Sequence, residues 1–183
     1  MLLEPVTLPD TVAGDWRVER FVVNELDYRA LIHGRAVPIG ETFTRLMRGD
    51  SLVMSDTPAE RRDHYAPVLK AKNSCLINGL GLGMVLKAIL KKPEVTDVTV
   101  VEISQDVIDI VAPHYADPRV TIVCASAFDF RPPKGKFYGM VWHDIWNDIC
   151  ADNLPDMHRL HRKYGRRAEW QGSWCRYQCE RGR

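Results

Sequence analysis

Three glycines at alternate positions, Gly79, Gly81 and Gly83, lie in the stretch 76-LINGLGLGMVLKAIL-90, between an apolar run and a helix-like run. Glycine reaches positive φ angles readily and has no Cβ atom, so such a bend allows a ligand to approach the backbone closely. Glu102 closes the next apolar run, and a carboxylate there can accept hydrogen bonds from both hydroxyl groups of a ribose. This combination predicts a nucleoside-type ligand. The alternative is a tight turn made only for packing, with Glu102 as a solvated strand end.

Regular alternation of elements surrounds these residues. Strands are predicted at 74–78, 98–103, 119–125 and 137–145, and helices at 84–92, 105–115 and 154–164. Strands that alternate with helices of crossover length form parallel βαβ units. We therefore predict an α/β fold, with a Rossmann-like open, mainly parallel sheet and helices on both faces. Ligands bind such sheets beyond the carboxyl ends of the strands, where the strand order reverses, and the first strand-to-helix turn normally lies there.

The first 55 residues have a different pattern, with short strand-like segments and no alternating helices. Segments 16–23 and 29–39 are strand-like, and 43–56 has two strand-like arms around Gly49-Asp50, which indicates a hairpin. We predict two domains, a β-rich N-terminal extension over 1–55 that forms a small flap, and the Rossmann-like core over 56–183. A helix capped by Thr57 should begin the core and be disturbed at Pro67.

Charge and apolar patterning limit the classes of partner. Lys and Arg total 25 against 24 Asp and Glu, so charge does not favour a nucleic acid or a membrane surface. No run approaches the length of a membrane span, and the N-terminus lacks a basic region followed by an apolar stretch. We therefore expect a cytoplasmic protein with a small-molecule substrate.

Cysteine and histidine spacing does not predict a metal site. The five cysteines form no regular framework that would indicate disulfides. His158 and His161 lie on one predicted helix, and Cys175 and Cys179 follow, but structural zinc sites need convergent ligand pairs. We expect no metal, and place the two histidines on a basic helix face.

The pattern G-x-G-x-G followed by Glu102 resembles the nucleoside-binding turn of class I S-adenosylmethionine-dependent methyltransferases. A nicotinamide-binding turn, G-x-G-x-x-G, would need glycine or alanine where this chain has Met84. The resemblance implies S-adenosylmethionine as cofactor. It places the methionine part at the glycine turn and Asn78, the ribose at Glu102 and one adenine face at Ile103.

Two further motifs resemble the spermidine synthase branch of that superfamily: 117-DPRVTIVCASAFDF-130 and 138-YGMVWHDIWND-148. The resemblance places Ser126 and Ala127 beside the adenine and makes Asp144 the catalytic aspartate. A carboxylate there could orient a nucleophilic amine or take its proton. The implied function is methyl transfer to a small acceptor that the sequence does not identify.

Departures from the branch keep alternatives open. Spermidine synthases carry an aspartate inside the glycine turn, where this chain has Leu80 and Leu82, which weakens an aminopropyltransferase reading. The chain after Gly165 is short, so a second copy could complete the pocket as a homodimer, with Trp170 and Trp174 either as anchors or as core residues. The third hypothesis, beside methyl transfer and aminopropyl transfer, is a non-catalytic relative that binds a nucleoside or serves as a scaffold.

Overall fold

A computed structural model describes residues 3–32 and 34–182. Its N-terminal part is an antiparallel sheet with strand order β1-β2-β3-β4. The strands are β1 Thr11–Ala13, β2 Trp16–Val22, β3 Thr42–Arg48 and β4 Ser51–Ser55. The hairpin predicted around Gly49-Asp50 joins β3 to β4, because Gly49 takes a positive φ of 54° that the tight turn needs.

The second sheet has five strands in the order β7-β6-β5-β8-β9, and every neighbouring pair is parallel. Its strands are β5 Asn73–Asn78, β6 Val95–Glu102, β7 Val120–Cys124, β8 Tyr138–His143 and β9 Ala168–Ser173. All six residues of β8 are buried, as expected for a strand covered on both faces. The predicted α/β class and Rossmann-like sheet are confirmed.

Seven α-helices accompany the sheets in the described part of the chain. They are α1 Tyr28–Ile32, α2 Pro58–Asp63, α3 Tyr65–Lys70, α4 Met84–Leu90, α5 Gln105–Val111, α6 Leu154–Tyr164 and α7 Arg176–Glu180. A 3₁₀ turn over Ala112–Tyr115 extends α5. Ser104 caps α5, since its hydroxyl accepts a hydrogen bond from the Val107 amide.

Two apolar clusters lie on the two faces of the parallel sheet. The smaller cluster joins β8 to α6 through Val141, Leu160 and Tyr164. The larger one joins α4 and α5 to the N-terminal sheet, with Leu46 and Met54 in contact with the same core as Leu82. The two sheets therefore share one continuous core.

Three local predictions were wrong, and side-chain contacts explain two of them. The strand predicted at 29–39 is in part helix α1, since the Asp27 carboxylate accepts a hydrogen bond from the Ala30 amide and caps it; residue 33 lies outside the described residues. Thr57 does not cap α2, because its hydroxyl bonds to that of Ser55 at 3.0 Å. The break between α2 and α3 falls at His64 rather than at Pro67.

The C-terminal segment completes the sheet edge. It supplies both a strand, β9, and a short helix, α7. The Trp170 ring stacks on Trp142 with centroids 6.3 Å apart, and Trp174 is 5% exposed. Trp174 is therefore a core residue, whereas Trp170 packs on Trp142 and keeps part of its surface accessible. The role of Trp170 as an anchor for a second copy stays a prediction. Over residues 3–32 and 34–182, no helix has the length and apolar character needed to span a membrane.

Candidate functional site

The chain order reverses between β5 and β8, which lie side by side at the centre of the parallel sheet. At their carboxyl ends the Asp144 amide donates to the Asn78 carbonyl at 2.8 Å. A cleft of about 410 Å³ opens at this point, within the range of small-molecule sites. Seven of the predicted residues line it, namely Gly79, Gly81, Glu102, Ile103, Ser126, Ala127 and Asp144.

Glu102 fixes one end of the cleft. One carboxylate oxygen accepts from the Leu80 amide in the glycine turn at 2.8 Å, and the other from the Ser104 amide at 2.9 Å. The side chain thus joins the turn after β5 to the turn after β6. A carboxylate has about four acceptor sites, so two remain for a ligand.

The three glycines are needed first by the protein's own packing. All have positive φ, of 98°, 51° and 72° in chain order. A Cβ atom on Gly79 would overlap the Asp144 carbonyl, and one on Gly81 would meet the Met54 sulfur. A Cβ on Gly83 would overlap the Tyr115 ring, whose hydroxyl donates to the Leu82 carbonyl at 2.7 Å. Gly79 and Gly81 still line the cleft, and Gly83 does not.

Ile103, Ser126 and Ala127 form the end of the cleft beyond Glu102. Ile103 is 71% exposed, an apolar side chain without cover at the cleft edge. Lys163 of α6 donates to the carbonyls of Ala127 and Phe128 at 2.9 Å each, which holds the turn after β7 in place. The Ser126 hydroxyl accepts from the Phe128 amide at 3.2 Å.

Asp144 stands at the opposite end and is paired with a buried histidine. Asp144 Oδ2 lies 2.6 Å from Nε2 of His64, and His64 Nδ1 lies 2.6 Å from the Glu60 carbonyl oxygen. Burial alone would lower the pKa of His64, but the charge and hydrogen bond of Asp144 outweigh it and raise that pKa to about 9. His64 is fully buried, whereas 13% of the Asp144 side chain is exposed to the cleft.

Glu60 also faces the cleft, from helix α2. Burial raises the pKa of Glu60 to about 7. The charge of His64 lowers this pKa, and the charge of Asp144 raises it. Together with Glu102, Asp144 and Asp156 it makes the cleft acidic, since Arg48 is the one lysine or arginine among the described lining residues. Such a lining favours a ligand that carries positive charge.

Asn78 lies outside the cleft. It is fully buried, and its amide Nδ2 donates to Nδ1 of His143 at 2.8 Å. Burial lowers the pKa of His143 to about 3, which keeps its ring neutral and able to accept that hydrogen bond. Successive side chains of a strand point to opposite faces of the sheet, and that of Asn78, the last residue of β5, points into a covered face. The glycine turn that follows it reaches the cleft.

Sequence reasoning missed the residues that reach the cleft from the N-terminal half. Trp16, Arg48 and Met54 come from the antiparallel sheet, and Glu60 comes from α2. His64, which follows α2, is fully buried and contacts Asp144 rather than the cleft. His64 lies 80 positions from Asp144 in the chain. The one available signal was a histidine on a short helix directly before the glycine turn, a feature more often explained by packing.

The second histidine cluster does not form a nucleophilic site. His161 is half-buried rather than on an exposed face, and its ring contacts the Ser173 hydroxyl at 2.9 Å and Arg176 at 3.1 Å. A guanidinium only donates, so the nitrogen facing Arg176 is the acceptor, and the other donates to Ser173. That direction cannot remove the serine proton. Among residues 3–32 and 34–182, no group of three His, Cys, Asp or Glu side chains is arranged to hold a metal ion.

The sequence matches no protein-family profile and no curated protein. Among solved structures, the N-methyltransferase NodS from Bradyrhizobium japonicum WM9 is similar over 62% of this chain and 64% of its own, at 13% identity and a TM-score of 0.47. The plantazolicin methyltransferase BpumL, in complex with SAH, is similar over 58% of this chain and 38% of its own, at 18% identity and a TM-score of 0.41. This chain thus spans less than two thirds of either protein. Likeness at this level describes the course of part of the backbone.

Proposed function

We propose that this protein binds S-adenosylmethionine and transfers its methyl group to a small acceptor. One observation supports this above the others. At the reversal point of the strand order, the cleft extends from a carboxylate already joined to the glycine turn, Glu102, to a second carboxylate at a strand end, Asp144. A nucleoside attached to a reactive group matches a cleft with free carboxylate acceptor sites at one end and the carboxyl groups of Glu60 and Asp144 at the other.

The residues present fit the cofactor at its adenosine end. Glu102 would bind the ribose hydroxyls with its two remaining acceptor sites, and the exposed Ile103 would pack on the adenine face. Ser126 and Ala127 would border the adenine edge. Gly79 and Gly81 would pass beneath the sulfur region. When bound, the cofactor supplies a methyl group already activated by the sulfonium.

We assign the methionine carboxylate to Arg48 in place of Asn78. Arg48 lies on β3 at the cleft, and its guanidinium is 5.5 Å from the centroid of the Trp16 ring, which holds the group without neutralising it. A guanidinium binds a carboxylate through two parallel hydrogen bonds. Asn78 is enclosed beneath His143 and therefore cannot approach a ligand in the cleft.

Asp144 is proposed to hold the acceptor. Its Oδ2 is occupied by His64, which leaves Oδ1 for the acceptor's nucleophilic atom. Because the methyl group is already activated, catalysis requires chiefly that the nucleophile, the methyl carbon and the sulfur be aligned. The pair with His64 prevents the carboxylate from rotating, and so provides that alignment.

Calorimetric titration tests the cofactor assignment. Wild-type protein should bind both S-adenosylmethionine and S-adenosylhomocysteine. Glu102→Gln should weaken both about 10- to 100-fold, since a hydrogen bond to a charged group contributes about 1.5–3 kcal/mol. Glu94→Gln, at the opposite end of the sheet, is the matched control and should bind normally.

A second variant separates lost binding from lost folding. Glu102 also accepts two backbone hydrogen bonds, so its replacement can disturb the turn. Ile103 is 71% exposed, and Ile103→Ser should leave the melting temperature unchanged while weakening both ligands about fivefold, the equivalent of about 1 kcal/mol of apolar contact. Absence of heat with both ligands, for a folded wild-type sample, would refute the proposal.

The alternative readings receive less support. Leu82, at a turn position where an aminopropyltransferase needs an acidic residue, is fully buried; decarboxylated S-adenosylmethionine should therefore bind no better than the carboxylated form. A scaffold role would be indicated by cofactor binding without transfer to any acceptor. The homodimer, the cytoplasmic location and the domain boundary at 55/56 stay predictions, and sedimentation analysis tests the first.

A further inference from the structure

Three ionisable side chains, Glu60, His64 and Asp144, meet at one end of the cleft. The two ring nitrogens of His64 face the Glu60 carbonyl and an Asp144 carboxylate oxygen, each at 2.6 Å. A carbonyl oxygen cannot donate, so Nδ1 must carry a proton. The contact between His64 Nε2 and Asp144 Oδ2 also needs a proton between the two atoms, carried either by the ring or by the carboxyl group. In both arrangements, the His64–Asp144 pair as a whole is neutral.

This neutrality limits what Asp144 can do. A further proton on Asp144 would leave a net positive pair around a ring that is fully buried, and burial opposes uncompensated charge. It would also replace the charge-assisted hydrogen bond from His64 by a weaker one to a neutral carboxyl group. Asp144 is therefore suited to hold an acceptor and poorly suited to receive its proton.

Glu60 is a second cleft-lining carboxylate, and it lies close enough to His64 and Asp144 to interact with their charges. Its side chain is 16% exposed and lines the cleft. Arg35 approaches it only to 3.9 Å, since that guanidinium binds Asp63 at 2.6 Å. The charged groups that influence Glu60 are His64, Asp144, Arg35 and Asp63, and the Cys175 thiol lies near them.

We propose that Glu60, rather than Asp144, is the catalytic base of this cleft, and that His64 is a positioning residue that keeps Asp144 a fixed anion. The proposal rests on the proposed function. The acceptor's lone pair forms the bond to the methyl carbon, while the electron pair of the broken carbon–sulfur bond stays with sulfur. The acceptor's proton passes to a Glu60 carboxylate oxygen and then to water. The acceptor must accordingly be nucleophilic at an N–H, O–H or S–H group.

The acid–base properties of Glu60 agree with this role. Burial, opposed by His64 and reinforced by Asp144, raises its pKa to about 7. A base is most effective when its pKa lies near the working pH, because it is then largely ionised and still binds the proton it receives. An exposed glutamate with an ordinary pKa would bind that proton too weakly.

Nuclear magnetic resonance tests the proton assignment without any activity. Protein labelled with ¹³C at glutamate carboxyls should show one signal that titrates near pH 7, and that signal should be missing in Glu60→Gln and retained in Glu94→Gln. The His64 ring, labelled with ¹⁵N, should be protonated on both nitrogens at neutral pH. A midpoint close to the ordinary glutamate value of about 4.3, or a single protonated nitrogen on His64, would overturn the proposal.

Methyl transfer gives the second readout. With labelled S-adenosylmethionine and benzylamine, phenol and a benzenethiol as probes, Glu60→Gln should lower the single-turnover rate of the best probe about 100-fold. It should also abolish the fall in rate below neutral pH, while S-adenosylhomocysteine affinity stays within about twofold. His64→Gln should shift the pH profile of the rate, an effect that a purely structural residue would not produce.

The two hypotheses fail in different ways. If Glu60→Gln transfers methyl groups at the wild-type rate, the assignment of the base is wrong even though the cofactor binds. If wild-type protein binds neither S-adenosylmethionine nor S-adenosylhomocysteine, the proposed function is wrong, and the resonance titration alone decides where the protons lie.

Discussion

The His64–Asp144 contact links the chemistry of the cleft to the stability of the protein. The ring also meets Trp142 edge-on, with centroids 6.0 Å apart, so it is enclosed by the parallel sheet. A buried ion pair is expensive to break, because removal of one partner leaves the other charge without compensation, at a cost of about 3–5 kcal/mol. His64→Ala should destabilise the protein by that order at neutral pH.

The pH dependence of stability should reveal this pair. The pKa of His64 is about 9 in the folded protein, above the unfolded value of about 6.5. The contribution of His64 to the free energy of unfolding is therefore complete below pH ~6.5 and is lost as pH rises through about 9. Between about pH 7.5 and 9.5, where Glu60 is mostly ionised in both states, the wild-type melting temperature should fall and that of His64→Gln should fall less.

The acidic side of the same stability profile, the acid limb, is the internal control for this measurement. Burial lowers the pKa of His143 to about 3, so the unfolded state takes up a proton first and stability is lost as pH falls below about 6.5. His64→Gln should keep this acid limb. Equal alkaline slopes in wild type and variant would show that His64 is not protonated in the folded protein.

Arg48 provides a second prediction at the residue level. If it binds the methionine carboxylate, Arg48→Gln should weaken S-adenosylmethionine about two- to fivefold, since an exposed ion pair contributes about 0.2–1 kcal/mol. Adenosine, which has no carboxylate, should bind wild type and variant equally. Isothermal titration with both ligands measures this, and an equal loss for adenosine would instead indicate a disturbed cleft.

At the level of elements, the turn from β5 to α4 is shaped by its neighbours on three sides. Asp144 of the β8 end abuts Gly79, Met54 of β4 abuts Gly81, and Tyr115 after α5 abuts Gly83. The turn is thus held by both the parallel sheet and the N-terminal sheet. Its lack of side chains serves packing and ligand access together.

Alanine replacements should separate these contacts. A Cβ at Gly79 would overlap backbone, which cannot move aside, whereas a Cβ at Gly81 would meet a flexible methionine side chain. Both positions have positive φ, which alone costs about 1–2 kcal/mol for alanine. Gly79→Ala should therefore be several kcal/mol less stable than wild type, and Gly81→Ala about 1–2 kcal/mol less stable. Chemical denaturation measures both, and equal losses would contradict this ordering.

At the scale of the whole molecule, the N-terminal sheet is part of the core and of the cleft wall. Asp56, 1% exposed, accepts hydrogen bonds from the Val6 amide at 3.0 Å and the Thr44 amide at 2.7 Å. It thereby joins the N-terminal segment, β3 and the start of the core region. The flap predicted from the sequence is accordingly packed in place by buried contacts.

Removal of residues 1–55 should prevent cooperative folding of the remainder. The deletion would expose Leu82 and Met84, which are 0% and 2% exposed, and remove Met54 from the glycine turn. A milder variant, Asp56→Ala, should cost about 2–4 kcal/mol, because two buried amides lose their acceptor. Thermal unfolding followed by circular dichroism measures both. A sharp transition in the 56–183 fragment, at the wild-type temperature, would contradict the shared core.

Much of the parallel sheet could be predicted because its signals are local. Periodicity located β5 to β8, and the glycine spacing located the cleft. The errors have a common cause. Thr57 and the segment after Asp27 were assigned from propensity, whereas neighbouring side chains decided their structure. For the same reason, the roles of Asn78 and Gly83 could not be separated from those of Gly79 and Gly81.

The sequence by itself determined a parallel α/β sheet with a side-chain-free bend and two carboxylates, Glu102 and Asp144, at its strand ends. Strand and helix periods, backbone angles and caps are properties of neighbouring residues, so the sequence records them directly. Only the tertiary structure decided that His64 meets Asp144, that Glu60 and Arg48 face the cleft, and that Asn78 does not. Those contacts join residues far apart in the chain, and they depend on how whole elements pack.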